Sequence, residues 1–392
     1  MSNKVKASLV PKLRFPEFRE SKGWNAKKLK DACEVNPANS ALSERFVYID
    51  LESVEAGELK TRNVVNRDEA PSRAQRQLRS GDVIFQIVRP YQRNNLHFKT
   101  DESIDYVAST GYAQLRAKDS SDFLFQAVHV DRFVDQVIAK CTGSSYPAIN
   151  SFDLADVSLA IPSPAEQQKI ADCLSSLDEL IAAQARKVDT LTTHKKGLMQ
   201  QLFQREGETQ PRLRFPKFQD AGEWKVKPFQ KLFSIGNGRD YKHLSTGNVP
   251  VYGSGGYMLS VDSFLYDGES VCIGRKGTIN NPMYLTGKFW TVDTLFFTHS
   301  FKECLPKFIF SIFQNVDWLK HNEAGGVPSL SKTNIEKILT AVPSLSEQQR
   351  IADCLTSLDD LITAQTQARE ALKTHKKGLM QQLFPSVEEA EA

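Results

Sequence analysis

Two long stretches of the chain carry apolar residues at alternating spacings of four and three positions, which is the pattern of a coiled-coil helix. Neither stretch contains an interior proline, and each begins with a Ser-x-x-Glu capping box. The pattern predicts two helices of about 40 residues, each about 60 Å long at 1.5 Å per residue. The apolar positions are Ile170, Leu174, Leu177, Ile181, Val188, Leu191, Leu198 and Leu202, then Ile351, Leu355, Leu358, Ile362, Leu372, Leu379 and Leu383.

The two stretches are copies of one another, and they divide the chain. Residues 161–203 return at 342–384 with an offset of 181 residues and no gap, and PKLRFPEF at 11–18 returns as PRLRFPKF at 211–218. Such repetition predicts two related halves. The predicted order is a globular domain at 1–160, a helical spacer at 161–210, a second globular domain at 211–341 and a second spacer at 342–392.

The globular blocks share little sequence outside these copies and are typical of mixed α and β structure. We therefore expect an α/β fold of the mixed α+β type, in which two unlike domains on a common frame are joined by two long helices, paired as an antiparallel coiled coil. The strand-like runs are 83–88 and 270–273, the helical patterns 123–139 and 306–318, and the closing loops 142–147 and 324–328.

Polar residues interrupt the predicted seam at matching positions. Gln184 matches Gln365, and Lys195 matches Lys376. A polar layer lowers stability but fixes register and partner number. The alternative is that these four residues are ordinary surface positions.

The segment THKKGLMQQLF, at 193–203 and 374–384, is not explained by a two-helix seam alone. It places basic residues beside large apolar ones, so we expect a helix of a partner protein to dock there. The predicted partner contacts are His194, Lys195, Leu198, Met199 and Leu202, with His375, Lys376, Leu379, Met380 and Leu383 in the second copy.

Positive charge is concentrated in the globular blocks, although the net charge of the chain is only +3. Residues 1–160 carry 23 basic and 21 acidic side chains, and residues 211–341 carry 16 and 11. A DNA-binding protein needs local positive faces rather than a high net charge. Charge alone does not separate such faces from ordinary solvated surface.

Arginines cluster in the first block between positions 62 and 93. A guanidinium group donates two parallel hydrogen bonds to guanine or phosphate, and asparagine pairs with adenine. The alternative is that several of them pair with acidic neighbours such as Asp68 and Asp82, and phosphate contacts are commoner than base contacts. The candidate DNA contacts are Arg73, Arg76, Arg89, Tyr91, Arg93 and Asn94.

In the second block, two glycine-rich segments, YGSGG at 252–256 and GRKGT at 274–278, join polar or charged residues to flexible turns. Tight turns at strand ends are the alternative interpretation of both segments. The candidate DNA contacts are Tyr252, Ser254, Arg275, Lys276, Thr278 and Lys332.

The sequence contains no recognisable catalytic or metal-binding constellation. It has no GxxxxGK[ST] loop, and Asn280-Asn-Pro-Met-Tyr284 lacks the second proline of the Asn-Pro-Pro-Tyr loop of adenine methyltransferases. The six cysteines form no CxxC pair, which predicts reduced thiols, and the sequence shows no apolar stretch of the length expected for a signal peptide or a membrane span. We expect a cytoplasmic chain without a membrane partner, a metal or a cofactor of its own.

The arrangement resembles the specificity subunit of Type I restriction–modification systems. The resemblance covers nearly the whole chain, and IPSPAEQQKIADCL at 161–174 and VPSLSEQQRIADCL at 342–355 carry it most specifically. It implies two target recognition domains, each reading one half of a split, asymmetric sequence in double-stranded DNA, with the helices as spacer. It also implies a non-catalytic chain on which two methyltransferase subunits dock, with S-adenosylmethionine, ATP and Mg²⁺ bound by the methyltransferase and motor–nuclease subunits.

A scaffold is the alternative from another class of protein. Its helices would organise partners, and its variable domains would bind proteins rather than DNA. It predicts no sequence-specific DNA affinity, whereas a DNA reader loses affinity steeply as salt rises. An enzyme with its own nuclease or methyltransferase activity is disfavoured because the corresponding motifs are absent.

Overall fold

The computed structural model describes residues 9–204, 208 and 210–385. The chain forms two compact units. The first runs to Gln184 and resumes at Ala368, and the second runs from Ala185 to Gln367. Each long helix contributes residues to both units, and the boundaries of the domains and spacers given from sequence stay a prediction.

The first unit contains two four-stranded sheets and two strand pairs. Its strands are Asn25–Lys28 (β1), Cys33–Val35 (β2), Arg45–Ile49 (β3), Val54–Glu55 (β4), Glu58–Leu59 (β5), Asn63–Asn66 (β6), Ala74–Gln77 (β7), Val83–Gln86 (β8), Leu96–His97 (β9), Asp105–Ser109 (β10), Tyr112–Ala117 (β11) and Ser158–Ile161 (β12). The sheets have the strand orders β2-β11-β8-β9 and β6-β3-β10-β7, and β1 pairs with β12 and β4 with β5.

The helices of this half pack on the sheet that contains β8. They are Leu29–Ala32 (α1), Ser121–Ala127 (α2), Asp131–Ala139 (α3), Ser151–Ala155 (α4) and the long Pro164–Leu202 (α5). The helix pattern predicted over 123–139 is two helices, because the backbone at Val130 is extended. Phe85, Leu115 and Phe123 lie in the core between sheet and helices.

The second unit repeats this composition. Its strands are Lys225–Pro228 (β13), Ser234–Asn237 (β14), Thr246–Gly253 (β15), Gly256–Val261 (β16), Tyr266–Asp267 (β17), Ser270–Gly274 (β18), Met283–Leu285 (β19), Lys288–Thr291 (β20), Leu295–His299 (β21) and Leu339–Val342 (β22). The helices of this half are Pro306–Asn315 (α6), Lys332–Lys337 (α7) and the long Leu345–Leu383 (α8). The predicted helix over 306–318 ends at Asn315, and a 3-10 turn, Trp318–His321, follows.

The two units share one topology despite their unlike sequences. The orders β14-β21-β18-β19 and β16-β15-β20-β17 match those of the first unit strand for strand, and β13 pairs with β22 as β1 does with β12. The pairs β3–β10 and β15–β20 are both parallel, whereas the neighbouring pairs are antiparallel. The prediction of a mixed α and β fold with two sheet-rich domains is confirmed.

A buried arginine holds the start of each long helix. Arg14 donates from Nε and Nη2 to the carboxylate of Glu166 at 2.7 and 2.8 Å, and Arg214 binds Glu347 at the same two distances. The predicted capping boxes are therefore only half formed. The cap serine accepts the glutamate's amide hydrogen at 3.4 Å, but the glutamate carboxylate binds the arginine.

The six cysteines are free, and Cys33, Cys272 and Cys304 are buried. Burial raises the pKa of the Cys33 and Cys272 thiols to about 12, so both are unreactive packing residues. Among the described residues, no group of three or more histidine, cysteine or acidic side chains is placed to hold a metal ion. Within the described ranges, no helix combines the length and the apolar character needed to cross a bilayer.

Candidate nucleic-acid interface

In the first unit, the loop that follows β8 is bound to the loop that precedes α4. Val88 pairs with Ala148 as an isolated bridge, and the amide of Arg89 donates to the carbonyl of Pro147 at 2.7 Å. These bonds fix the backbone from which the candidate residues at 89–91 project.

In the second unit, the loop that follows β18 is held in the same way. Lys276 pairs with Ser329, and the amide of Gly277 donates to the carbonyl of Pro328 at 2.9 Å. Pro328 lies 181 residues after Pro147, which is the offset of the repeat. The loops chosen from sequence in the two blocks therefore occupy equivalent places on a common frame.

The loop of the first unit presents a cation and aromatic rings. The guanidinium carbon of Arg89 lies 4.1 Å from the ring centroid of Tyr146, in cation–π contact. Tyr146 is 65% exposed, and Tyr91 is 51% exposed. Exposed rings beside a guanidinium group suit contacts with bases and phosphates.

Two other candidates in this loop bind groups of their own unit. Arg93 donates to Asp131 at 2.7 Å and to the carbonyl of His129 at 3.2 Å, and this hydrogen bond lowers the pKa of the Asp131 carboxyl. Asn94 accepts the amide hydrogen of Ala56 at 3.4 Å. A DNA contact at Arg93 or Asn94 stays a prediction, and the structure gives each side chain an intramolecular role.

Arg73 and Arg76 lie at strand β7, near the same loop. The carbonyl of Arg73 accepts from Thr110 at 2.8 Å, and the adjoining Gly111 accepts from Ile87 at 3.0 Å, so one turn is bonded to both segments. Arg73 is exposed, whereas Arg76 is half-buried, and burial lowers its pKa. Both are compatible with a basic face around the Arg89 loop.

A cleft in the second unit is lined by three predicted contacts, Arg275, Lys276 and Lys332, together with Glu323. Arg275 and Lys276 are exposed. Lys332 lies 3.7 Å from Glu336, a loose ion pair. The cleft therefore has an excess of positive charge, as a phosphate-facing surface requires.

Glycines bring the two glycine-rich segments of this unit together. A Cβ on Gly274 would lie 2.0 Å from the carbonyl oxygen of Thr278, and one on Gly277 would lie 3.3 Å from Ser254 Oγ. Gly277 also has a positive φ of 90°. The tight-turn interpretation is thus correct for GRKGT, and the turn itself presents Arg275, Lys276 and Thr278 at the surface.

Comparison with known proteins agrees with this geometry. The profile of the Type I restriction modification DNA specificity domain matches residues 21–193 and, a second time, residues 221–374. The chain belongs to this family. The two matches correspond to the two sheet-rich domains, each followed by most of a long helix.

Relatives and solved structures of this family extend the likeness along the chain. The putative MjaX specificity subunit of Methanocaldococcus jannaschii is 25% identical over 264 residues, which are 60% of this chain and 60% of that relative. The S subunit from M. genitalium superposes with a TM-score of 0.64 at 15% identity, covering 96% of this chain and 100% of that one. A chain from a study of complex assembly and conformational transition of the type I R-M system gives 0.56 at 20% identity, with 93% and 98% covered.

The family and the relatives' names confirm that the chain is a DNA specificity subunit, the non-catalytic kind of subunit in a Type I restriction enzyme. The structural likenesses, at low identity, support the fold. The curated relative is matched over less than two thirds of its length, so half-site reading and subunit docking are treated below as proposals.

The apolar residues of the repeated MQQLF segment are packed inside this specificity subunit. Met199 and Leu202 lie in the core of the second unit, and Leu383 lies in the core of the first, each less than 8% exposed. Their own unit covers these three side chains, so the structure gives each a role in the core, and a contact with a partner helix stays a prediction. Three further members of the predicted surface are partly buried against the same cores: Leu198, Leu379 and Met380. His194 and His375 are exposed and stay predicted partner contacts.

The two lysines of the predicted polar layers also bind within the chain. Lys376 lies 2.7 Å from Asp178 in the first unit, and Lys195 lies 2.6 Å from Asp359 in the second. Lys195 donates to Gln314 as well, at 3.0 Å. Each of these half-buried ion pairs links the two long helices within one unit. This favours a role in fixing the register of the helices over the alternative that the lysines are ordinary surface positions.

Sequence reasoning missed two exposed tyrosines at the candidate interface. Tyr146 contacts Arg89, and Tyr257 packs edge-on against Tyr252 with most of its own ring exposed. A lone tyrosine in a loop carries no motif. The signal for Tyr146 was its place in one of the two closing loops that share the repeat offset.

Proposed function

We propose that each unit reads one half of a bipartite, asymmetric sequence in double-stranded DNA. In this proposal the chain directs two methyltransferase subunits, and motor–nuclease subunits through them, to that sequence. The long helices pair in an antiparallel coiled coil and set the gap between the half-sites. Cytoplasmic location stays a prediction.

The main support for this proposal is that the two units share one strand order and one pattern of backbone bonds but differ in the side chains of the equivalent loops. Both units have the same strand order and the same backbone bonds under the loop, but one presents Arg89 and Tyr146 and the other presents Arg275 and Lys276. A common frame serves a common task, and different side chains at the equivalent place give different base preferences.

Matching ion pairs support antiparallel pairing of the helices. In an antiparallel pair the numbers of facing residues have a constant sum. The pairs Asp178–Lys376 and Lys195–Asp359 both sum to 554. One register therefore accounts for both contacts.

The cofactors belong, in this proposal, to the partners. S-adenosylmethionine supports adenine N6 methylation in the methyltransferase subunits, and ATP and Mg²⁺ support the motor–nuclease. The exposed side chains of the repeated histidine-lysine segments, His194 and Lys196 in the first copy and His375 and Lys377 in the second, are offered as part of the methyltransferase docking surface.

Genome-wide mapping of N6-methyladenine in cells that carry this chain with its methyltransferase tests the proposal. We expect one motif with two half-sites and a fixed gap.

Exchange of residues 211–341 for the block of another specificity subunit is expected to change one half-site and leave the other. A motif altered in both halves contradicts modular reading. Binding without sequence preference and with a flat salt response would support the scaffold alternative instead.

A further inference from the structure

We infer that Tyr146 is a positioning residue that holds Arg89 to read a guanine in the half-site of the first unit. This inference rests on the proposed function and adds to it the chemistry of one base pair. It follows from a comparison of the same two places in the two units.

The backbone under Arg89 is of a kind that favours glycine. Arg89 has φ of +54° and ψ of +55°, in the left-handed region that side chains with a Cβ rarely adopt. The equivalent residue of the second unit, bonded to the equivalent proline, is Gly277, also with positive φ. Glycine is therefore sufficient for the backbone conformation at this position, but the first unit has an arginine there, in a strained conformation. Strain of this kind accumulates where a side chain is needed for function.

The arginine is buried at its stem and leaves one donor unused. Arg89 Nε is buried and has no hydrogen-bond partner among the described residues. An unpaired buried donor costs stability, so neither the backbone nor the stem of Arg89 explains its presence by stabilising the fold. The outer part of the guanidinium group remains to be accounted for.

Tyr146 fixes the direction of that outer part. The guanidinium carbon of Arg89 lies over the Tyr146 ring, 4.1 Å from its centroid. The loop that carries it is closed by two hydrogen bonds between Thr142 and Ala148, at 2.9 and 3.0 Å. The ring occupies one side of the guanidinium group, so the donors that remain for a base are those on its two Nη atoms. Two parallel in-plane donors match the O6 and N7 acceptors of guanine in the major groove.

The pair is specific to one unit, as a recognition element is expected to be. The closing loop of the second unit has the same bond, from Glu323 to Ser329 at 3.0 Å, and Val327 stands where Tyr146 would be, at the repeat offset of 181. Both members of the pair are thus replaced together, by Gly277 and Val327, in a unit that folds with the same topology. The pair is dispensable for the frame.

The test uses the complex with its methyltransferase and four variants of the chain. Methylation of duplexes with each base at every half-site position is compared for wild type, Arg89→Lys, Tyr146→Ala, Tyr146→Phe and the double variant Arg89→Gly/Tyr146→Val, which copies the second unit. We expect one guanine to lose about tenfold or more of its preference in Arg89→Lys, Tyr146→Ala and the double variant. Tyr146→Phe is expected to retain it, because the ring face is unchanged.

Stability and the other half-site separate recognition from a folding defect. The double variant is expected to unfold at the same or a higher temperature than wild type, with the second half-site unaltered. A wild-type preference in Arg89→Lys, or a uniform loss over all bases, would mean that the charge contacts phosphate and would overturn the inference. A wild-type complex with no bipartite motif would instead overturn the proposed function itself.

Discussion

At the scale of single residues, His129 shows how the first unit depends on a neutral imidazole. Its Nδ1 lies 2.7 Å from the carbonyl of Phe125, which can only accept, so Nδ1 carries the proton and Nε2 accepts from the amide of Asn95 at 3.2 Å. Burial lowers the pKa of His129 to about 4. His97 also lies beside Phe125, and burial lowers the pKa of its imidazole to about 4 as well.

A loss of stability in mild acid follows. An unfolded histidine titrates near pH 6.5, so between about 6.5 and 4 the unfolded chain binds protons that the folded chain excludes. The unfolding free energy is therefore full above pH 6.5 and decreases as pH falls toward 4, by up to about 1.4 kcal/mol per pH unit for each histidine. Urea titrations at pH 7, 6 and 5 measure it. His129→Gln should show a shallower dependence, and an equal free energy of unfolding at pH 7 and pH 5 in wild type would contradict the role.

The candidate residues show what local sequence can and cannot give. Arg275, Lys276 and Lys332 were predicted from glycine-rich motifs and do line one cleft. The engagement of Arg93 by Asp131 could not be predicted, because it depends on where helix α3 packs. Sequence patterns identify residue types that suit DNA contacts. Only the tertiary fold shows whether such a residue, as with Arg93, binds an acidic group of the protein itself.

At the scale of elements, the ends of the long helices anchor in the sheet-rich domains. Leu202, at the end of α5, lies in the core of the second unit that contains Phe308 and Trp224, and Leu383, at the end of α8, lies in the core of the first unit that contains Trp24. These anchors give the apolar residues of the repeated MQQLF segment a role inside the chain.

Truncating the anchors should destabilise the isolated chain. Leu202→Ala and Leu383→Ala each remove a buried side chain, and we expect each to lower the unfolding free energy of its unit by about 2–5 kcal/mol. Leu180→Ala and Leu361→Ala are matched controls on the same helices, since both side chains are about half exposed, and should stay within about 0.5 kcal/mol. Anchor variants that match wild type in denaturant unfolding, and fail only in partner binding, would restore the docking interpretation.

The helices were predictable and the sheets were not, for one physical reason. The helices Pro164–Leu202 and Leu345–Leu383 arise from apolar spacing and end signals that lie within the element itself. Strand order depends on backbone bonds between distant segments, such as the parallel pair β3–β10. The repeats indicated two related halves, but the order of the strands within each half could not be read from the sequence, because the pairing of backbones constrains side-chain identity only weakly.

At the scale of the whole molecule, the proposed antiparallel pairing of the helices can be tested, and the constant sum of the ion-pair positions supports that proposal. If the pair acts as a ruler, its length fixes the distance between half-sites. Lengthening must then be done in both helices at matched positions, because an insertion in one alone would separate Lys195 from Asp359 or Lys376 from Asp178.

Seven residues inserted after Gln184 and seven after Gln367, where both helices pass from one unit to the other, keep the heptad phase and add about 10.5 Å at 1.5 Å per residue. Since base pairs are about 3.4 Å apart, the gap in the methylated motif should grow by about three base pairs while both half-sites keep their bases. Mapping of N6-methyladenine measures the gap directly.

The variant with the first insertion alone is the control, and it should unfold more readily than wild type because one helix has lost register with the other. A double-insertion complex that still methylates the original gap would show that the spacing is set elsewhere, because the proposed ruler would be longer by about two helical turns.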